Sequence, residues 1–174
     1  MSGKEKILEL VEKNAVEAQL RDDACAPSAM YGLSTGFDFI TEEAVAAAWP
    51  LLGGTGVASG SCGAYCSGLM AIGLKYIPLV AKASSPEEAL EKKELFRSKM
   101  LAYRDAFLKE YGTVLCPQIH KLLFGRSFIL SDDGQREEFL KIPDHAEKCA
   151  TVVAKAARLA AEIILEDEIF TDGL

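Results

Sequence analysis

Apolar residues along this chain recur at spacings of three and four, the period of a helix face buried against a core. Ile7, Leu8, Leu10, Val11, Ala15 and Ala18 make one such stripe, with Lys4, Lys6, Glu12 and Lys13 on the other faces, and predict a helix over 2–20. Asp22 and Asp23 are placed to cap a second helix over 24–33, with Pro27 in its first turn and Gly36 after its end. Glu42–Trp49 reads as a third, stopped by Pro50. Ser85-Pro86-Glu87-Glu88 combines a cap, a first-turn proline and a capping-box glutamate, and opens a helix that Gly112 ends. Its expected inner stripe is Leu90, Phe96, Met100, Tyr103, Phe107 and Leu108. Cys116–Phe124 and Ser131–Lys141 read as short helices. Asp144-His145-Ala146-Glu147 repeats the capping-box pattern and opens a last helix to about Glu168, with Ala150, Val153, Ala157, Ala160, Ala161 and Ile164 on its packing face.

No run alternates strictly between apolar and polar residues, so no strand is predicted. The expectation is an all-α fold of about six to eight helices, with 1–174 as a single domain. No internal repeat or low-complexity segment interrupts it.

Ala44 to Leu74 breaks the general pattern. These 31 residues hold no Asp, Glu, Lys or Arg, in a chain that is 26% charged. Half of its 14 glycines lie there: Gly53, Gly54, Gly56, Gly60, Gly63, Gly68 and Gly73. Pro50 and these glycines argue against one regular membrane-spanning helix of ~20 residues. The segment reads instead as a glycine-rich loop, 53–61, feeding a buried central helix over 62–76, with no membrane insertion. Its apolar character would also permit a homodimer interface.

Charge narrows the partners. Nineteen basic against 26 acidic residues give a net charge of −7. With no basic block, the chain lacks the clustered cations that phosphate contacts need, so nucleic acid is not an expected partner. The first residues run straight into the amphipathic pattern rather than an apolar signal-peptide core, which makes a cytoplasmic protein the expectation. In a reducing compartment, five cysteines point to metal, catalysis or packing rather than to structural disulfides.

Common motifs are missing. There is no C-x-x-C, hence no signalled thioredoxin pair or zinc ribbon, and no C-x-x-C-H for a covalent c-type haem. The glycine loop lacks the Lys-Ser/Thr of a P-loop and the spacing of a dinucleotide fingerprint. What stands out is placement. Cys25, Cys62, Cys116 and Cys149 each lie in or near the first turns of a separate predicted helix. Helix starts carry free N–H groups and partial positive charge, which favour thiolate over thiol. Thiolates are both nucleophiles of disulfide exchange and ligands of zinc and iron–sulfur clusters. The plain alternative is that cysteine here is a small core hydrophobe. Cys62/Cys66, Cys116/His120 and His145/Cys149 are each four apart and so share helix faces, a spacing that could build a metal site if the helices converge.

These residues resemble the family of redox-active proteins named for a C…G-C-A-x-x-G…C…C pattern. Cys25-Ala26 looks like its first cysteine, and 53–64, ending Ser61-Cys62-Gly63-Ala64, like its glycine loop with the second. Residues 69–76 resemble the following helix, Phe107 to Cys116 the segment with the third cysteine, and 130–133 followed by Lys148-Cys149 the approach to the fourth. The likeness covers about 25–153. Aligned as Cys62-Gly63-Ala64-x-x-G, the motif expects its closing glycine at Ser67, with Gly68 one place later; Cys66 is an added cysteine, and Ile77-Pro78 replaces a usual glycine.

The resemblance implies an all-helical protein whose four cysteines form one redox or metal centre. It extends to the part of split-Soret cytochromes thought to hold an iron–sulfur centre, without their haem-attaching portion. On this reading Cys25, Cys62, Cys116 and Cys149 ligate a cluster, most simply [2Fe–2S], for electron transfer or redox sensing, with N–H groups of Gly60, Ser61 and Gly63 toward its sulfurs. Zinc is the substitute if a metal is present without colour. The alternative is a metal-free thiol–disulfide oxidoreductase in which Cys62 pairs with Cys66 or Cys25. A third reading is a helical partner-binding domain with packed cysteines. The redox partner is not specified by any of them.

Overall fold

The computed structural model describes residues 3–167. Among them the fold is all-α: α1 (Gly3–Asp22), α2 (Cys25–Ser34), α3 (Glu42–Ala48), α4 (Gly63–Ala81), α5 (Pro86–Tyr111), α6 (Cys116–Phe124), α7 (Asp133–Leu140) and α8 (His145–Leu165). The expected end of the last helix at Glu168 lies outside the described residues. Pro50 converts the end of α3 into a single 3₁₀ turn, Trp49–Leu51.

Helices α1, α2, α4 and α8 pack around one core, and α5 lies along α4. Small residues set the closest approaches. A Cβ on Gly32 would lie 2.5 Å from the Ala15 Cβ and 2.7 Å from the Val11 carbonyl oxygen, so α2 crosses α1 almost backbone to backbone. On α8, Ala157, Ala160 and Ala161 have no exposed surface, as the alanine pattern predicts, and Ala156 beside them is equally covered.

Several capping expectations resolve differently. Ser85 caps α5 by accepting from the Glu88 N–H, but Glu88 reaches back to the N–H and hydroxyl of Ser84 rather than to Ser85. Asp22 and Asp23 do not cap α2, because Asp22 pairs with Arg21 and Asp23 turns toward Gln19 and His145. Asp144 precedes α8 without capping it; its carboxylate is drawn to Lys148 at 3.0 Å. Leu90 is 61% exposed, since the start of α5 projects past the core that holds Tyr103 and Phe107.

The uncharged central stretch also differs from its expected form. Its helix is regular and runs to Ala81, through Pro78, and is long and apolar enough to span a membrane by length and composition. One face carries buried Ala64, Ala71, Ile72 and Tyr76 against α2, α5 and α8, while Leu74, Ile77 and Leu79 on its outer face are exposed. The stretch is therefore half interior rather than wholly so.

Arg158 on α8 fastens the ends of the bundle. Its guanidinium meets Glu12 at 2.7 Å, Glu162 at 2.9 Å and Glu5 at 3.0 Å, while its stem is largely covered. Three carboxylates on one fork exceed the worth of an exposed pair. Arg158→Ala is expected to cost about 2 kcal/mol through lost pairing and stem packing. Thermal denaturation should then show Tm lowered by roughly 4–8 °C.

Candidate functional site: four cysteines on one cavity

Four helices deliver the dispersed cysteines to one place. Cys25 is the first residue of α2, Cys62 immediately precedes α4, Cys116 is the first residue of α6, and Cys149 lies in the second turn of α8. All four line a single inner cavity of about 30 Å³, with His120, Ala64 and Val153 among its other walls. Cys62 and Cys116 are buried, and Cys25 and Cys149 are partly buried.

A short antiparallel contact brings the second and third cysteines together. Ser61 bridges Leu115; the Cys62 N–H donates to the Val114 carbonyl at 2.7 Å, and the Cys116 N–H to the Gly60 carbonyl at 2.9 Å. The glycine loop supplies the clearance. Its backbone runs left-handed at Gly53, Gly54, Thr55, Gly56, Val57 and Ser59, a conformation that is uncommon for non-glycine residues and strained for β-branched ones. A Cβ on Gly54 would lie 3.1 Å from the Cys116 Cβ. On Gly63 it would lie 2.9 Å from the Cys25 sulfur and 2.6 Å from the Leu51 carbonyl oxygen. The glycine before Ala64 is thus a spatial requirement of the first cysteine.

The family-pattern departures have local reasons. Ser67 is fully buried and donates to the Ala26 carbonyl at 2.7 Å, tying α4 to α2 beside Cys25. Gly68 leaves room for the Tyr103 hydroxyl, against which a Cβ would collide. Cys66 is absent from the cavity wall; it is partly buried one turn beyond Cys62, with the Thr55 hydroxyl 3.9 Å from its sulfur.

The electrostatics reverse the thiolate expectation. Backbone groups of Gly53, Ala64, Gly63 and Ala26 do favour the charged form of Cys25, and those of Tyr65 and Ala64 that of Cys62. Burial nevertheless outweighs these donors and raises both thiols, Cys62 well above its ordinary value. Burial likewise pushes Cys116 up to about 12 and raises Cys149 and Cys66. In every pairing among Cys25, Cys62, Cys116 and Cys149, a charge on one opposes ionisation of the other. In the metal-free chain these are protonated thiols at neutral pH.

The glycine-loop donors also sort differently from expectation. Gly63 and Gly53 reach Cys25. Gly60 instead spends its N–H on the Gly54 carbonyl, while the Ser61 carbonyl accepts from the Thr55 hydroxyl and so helps to hold the loop.

The two histidines part company. His120 is buried; its Nε2 lies 3.6 Å from the Cys116 sulfur and its ring stacks on Phe139 with centroids 4.8 Å apart. His145 faces away from the cavity, with Nδ1 2.8 Å from the Ile142 carbonyl and Nε2 2.9 Å from Asp23. Among the described residues, no three His, Cys, Asp or Glu side chains converge closely enough to hold a single metal ion.

These histidines give stability a pH optimum. Burial disfavours the charged His145 ring, but the Ile142 carbonyl and the Asp23 carboxylate outweigh it and raise the pKa from 6.5. That contribution is fully present below 6.5 and is lost as pH rises through the raised value. Burial alone lowers His120 to about 4, so its contribution is full above 6.5 and falls away toward pH 4. Urea denaturation of metal-free protein is expected to show maximal stability near pH 6.5, and His145→Gln to flatten only the alkaline limb.

The model of the C_GCAxxG_C_C family, described as "Putative redox-active protein", matches residues 24–163. Comparison with curated proteins and with solved structures finds no match.

Proposed function

The chain belongs to the C_GCAxxG_C_C family of redox-active proteins, and we propose that Cys25, Cys62, Cys116 and Cys149 ligate an iron–sulfur cluster, most simply [2Fe–2S], for electron transfer or redox sensing. The observation that carries this reading is the sharing of one small, largely apolar cavity by four mutually repelling thiols, two buried and two partly buried. Four cysteines are the usual ligand set of such clusters. Backbone N–H groups aimed at Cys25 and Cys62 are weakly used by neutral thiols and well used by charged sulfur. Mutual repulsion in an apolar pocket is relieved when a positive centre replaces the thiol protons. The spread of the sulfurs disfavours one mononuclear ion; two irons distribute four ligands over a larger span.

The cluster supplies one-electron transfer when bound. The chain's own groups do the rest. Ala64, Ile119, Leu123, Val152 and Val153 form the apolar inner wall against which the sulfurs lie. The Gly60–Cys62 and Val114–Cys116 contact holds two cysteines in register, and Gly63 admits the first.

A metal-free thiol–disulfide cycle is the second reading, favoured by the absence of three converging donors among the described residues. In it Cys25 and Cys62 would lose two protons and two electrons to an oxidant as one S–S bond forms. A thiol raised to about 12, as at Cys116, is thiolate in roughly one part in 10⁵ at neutral pH, which makes a poor attacking group. Anaerobic purification with iron and sulfide analysis and a visible spectrum tests the choice. Brown protein with about two irons per chain is the expected result. Colourless protein holding zinc, or metal-free protein that forms a disulfide on oxidation, would overturn the cluster.

A further inference from the structure

Outside the inner cavity lies a second, larger pocket of about 290 Å³, near the lower edge of the ~300–1,000 Å³ usual for small-molecule sites. The two share four wall residues: Cys25, Cys116, Cys149 and His120. A molecule in the outer pocket therefore lies directly against three of the four cysteines. We propose that this pocket binds a small, flat, apolar organic anion against the cysteine centre. The proposal rests on the reading of that centre as redox-active and names the class of molecule it meets.

The wall chemistry selects the class. Leu52, Val57, Leu130, Phe139 and Leu140 give an apolar surface, with the Phe139 ring held in place by its stacking on His120. The carboxylates at the rim are already engaged. Asp22 pairs with Arg21 at 2.6 Å, and Asp23 accepts from Gln19 at 3.0 Å and from His145 at 2.9 Å. Arg136 is the remaining charged wall residue; it is exposed and forms no ion pair among the described residues. It shares one face of α7 with Phe139 and Leu140, three and four residues on. An unpaired guanidinium beside an aromatic and aliphatic wall suits a flat apolar body ending in a sulfonate, carboxylate or phosphate.

Anthraquinone-2-sulfonate is a suitable probe, being planar, anionic and coloured. Calorimetric titration into the metal-free 174-residue chain is expected to give saturable one-to-one binding. Arg136→Gln should weaken it about tenfold and Arg136→Glu further, while both variants, altered at an exposed position, keep the wild-type circular dichroism. No saturable binding to the wild type, or equal affinity in Arg136→Gln, would overturn the proposal. Iron content is read separately on anaerobically purified protein. Loss of the cluster reading thus leaves this titration intact, and failure of the titration leaves the iron result intact.

Discussion

Gly63→Ala is expected to cost about 2–4 kcal/mol and to disorder the cysteine cavity. The added carbon would meet a backbone oxygen, that of Leu51, at 2.6 Å, with Ala26 and the Cys25 sulfur both at 2.9 Å. None of these neighbours is the far end of a flexible side chain. To relieve the overlap, the start of α4 must move away from α2, which carries Cys62 away from Cys25. Gly73→Ala on the same helix is the control. Nothing lies within 4 Å of its added carbon, so the change removes a helix-weakening glycine and should be neutral or stabilising by up to ~1 kcal/mol. Urea melts of the two variants check the pair. Equal midpoints would mean that α2 and α4 do not meet through Gly63.

Much of the scaffold was legible because its signals are local. Pro86, Pro117, Gly112 and Gly125 mark helix ends that the backbone obeys, with both glycines in the left-handed conformation. The alanine face of α8 is equally plain, since a long regular helix repeats its packing residues. The failures came where side chains had distant alternatives. Asp23 looked like a cap, yet His145 lies 122 positions away in sequence and competes for its carboxylate. Leu90 fitted a helical stripe, but the stripe outruns the core it was to cover.

At the candidate site, the set of cysteines could be read from spacing and the family pattern, whereas their ionisation could not. Helix-start donors are visible in sequence; the burial that defeats them is a tertiary property, produced by Ile119, Val152 and Val153 closing over the sulfurs. The bridge between Ser61 and Leu115 was also out of reach. It is too short to leave an alternating pattern, and it joins segments 54 residues apart (115 − 61). Arg136, Phe139 and Leu140 escaped notice for a different reason. A short helix in which half the residues are charged gives no hint that one face closes a pocket.

Single Cys→Ala replacements divide the five cysteines four to one. Loss of Cys25, Cys62, Cys116 or Cys149 is expected to reduce iron bound during anaerobic purification to below about a tenth of the wild-type amount, because each removes one of four ligands. Cys66→Ala should retain wild-type iron and spectrum, since its sulfur is outside the cavity and meets Thr55 instead. Each change exchanges a thiol for a smaller apolar group, so folding is expected to survive at a cost of roughly 1 kcal/mol, and circular dichroism separates ligand loss from unfolding. The pattern discriminates chemistries as well as positions. A disulfide cycle using Cys62 with Cys66 would make Cys66→Ala as damaging as Cys62→Ala and leave Cys149→Ala active. A set of cysteines that merely packs would show five similar, small effects. Iron lost from Cys66→Ala but kept in Cys149→Ala would move the centre from the inner cavity to the outer flank of α4.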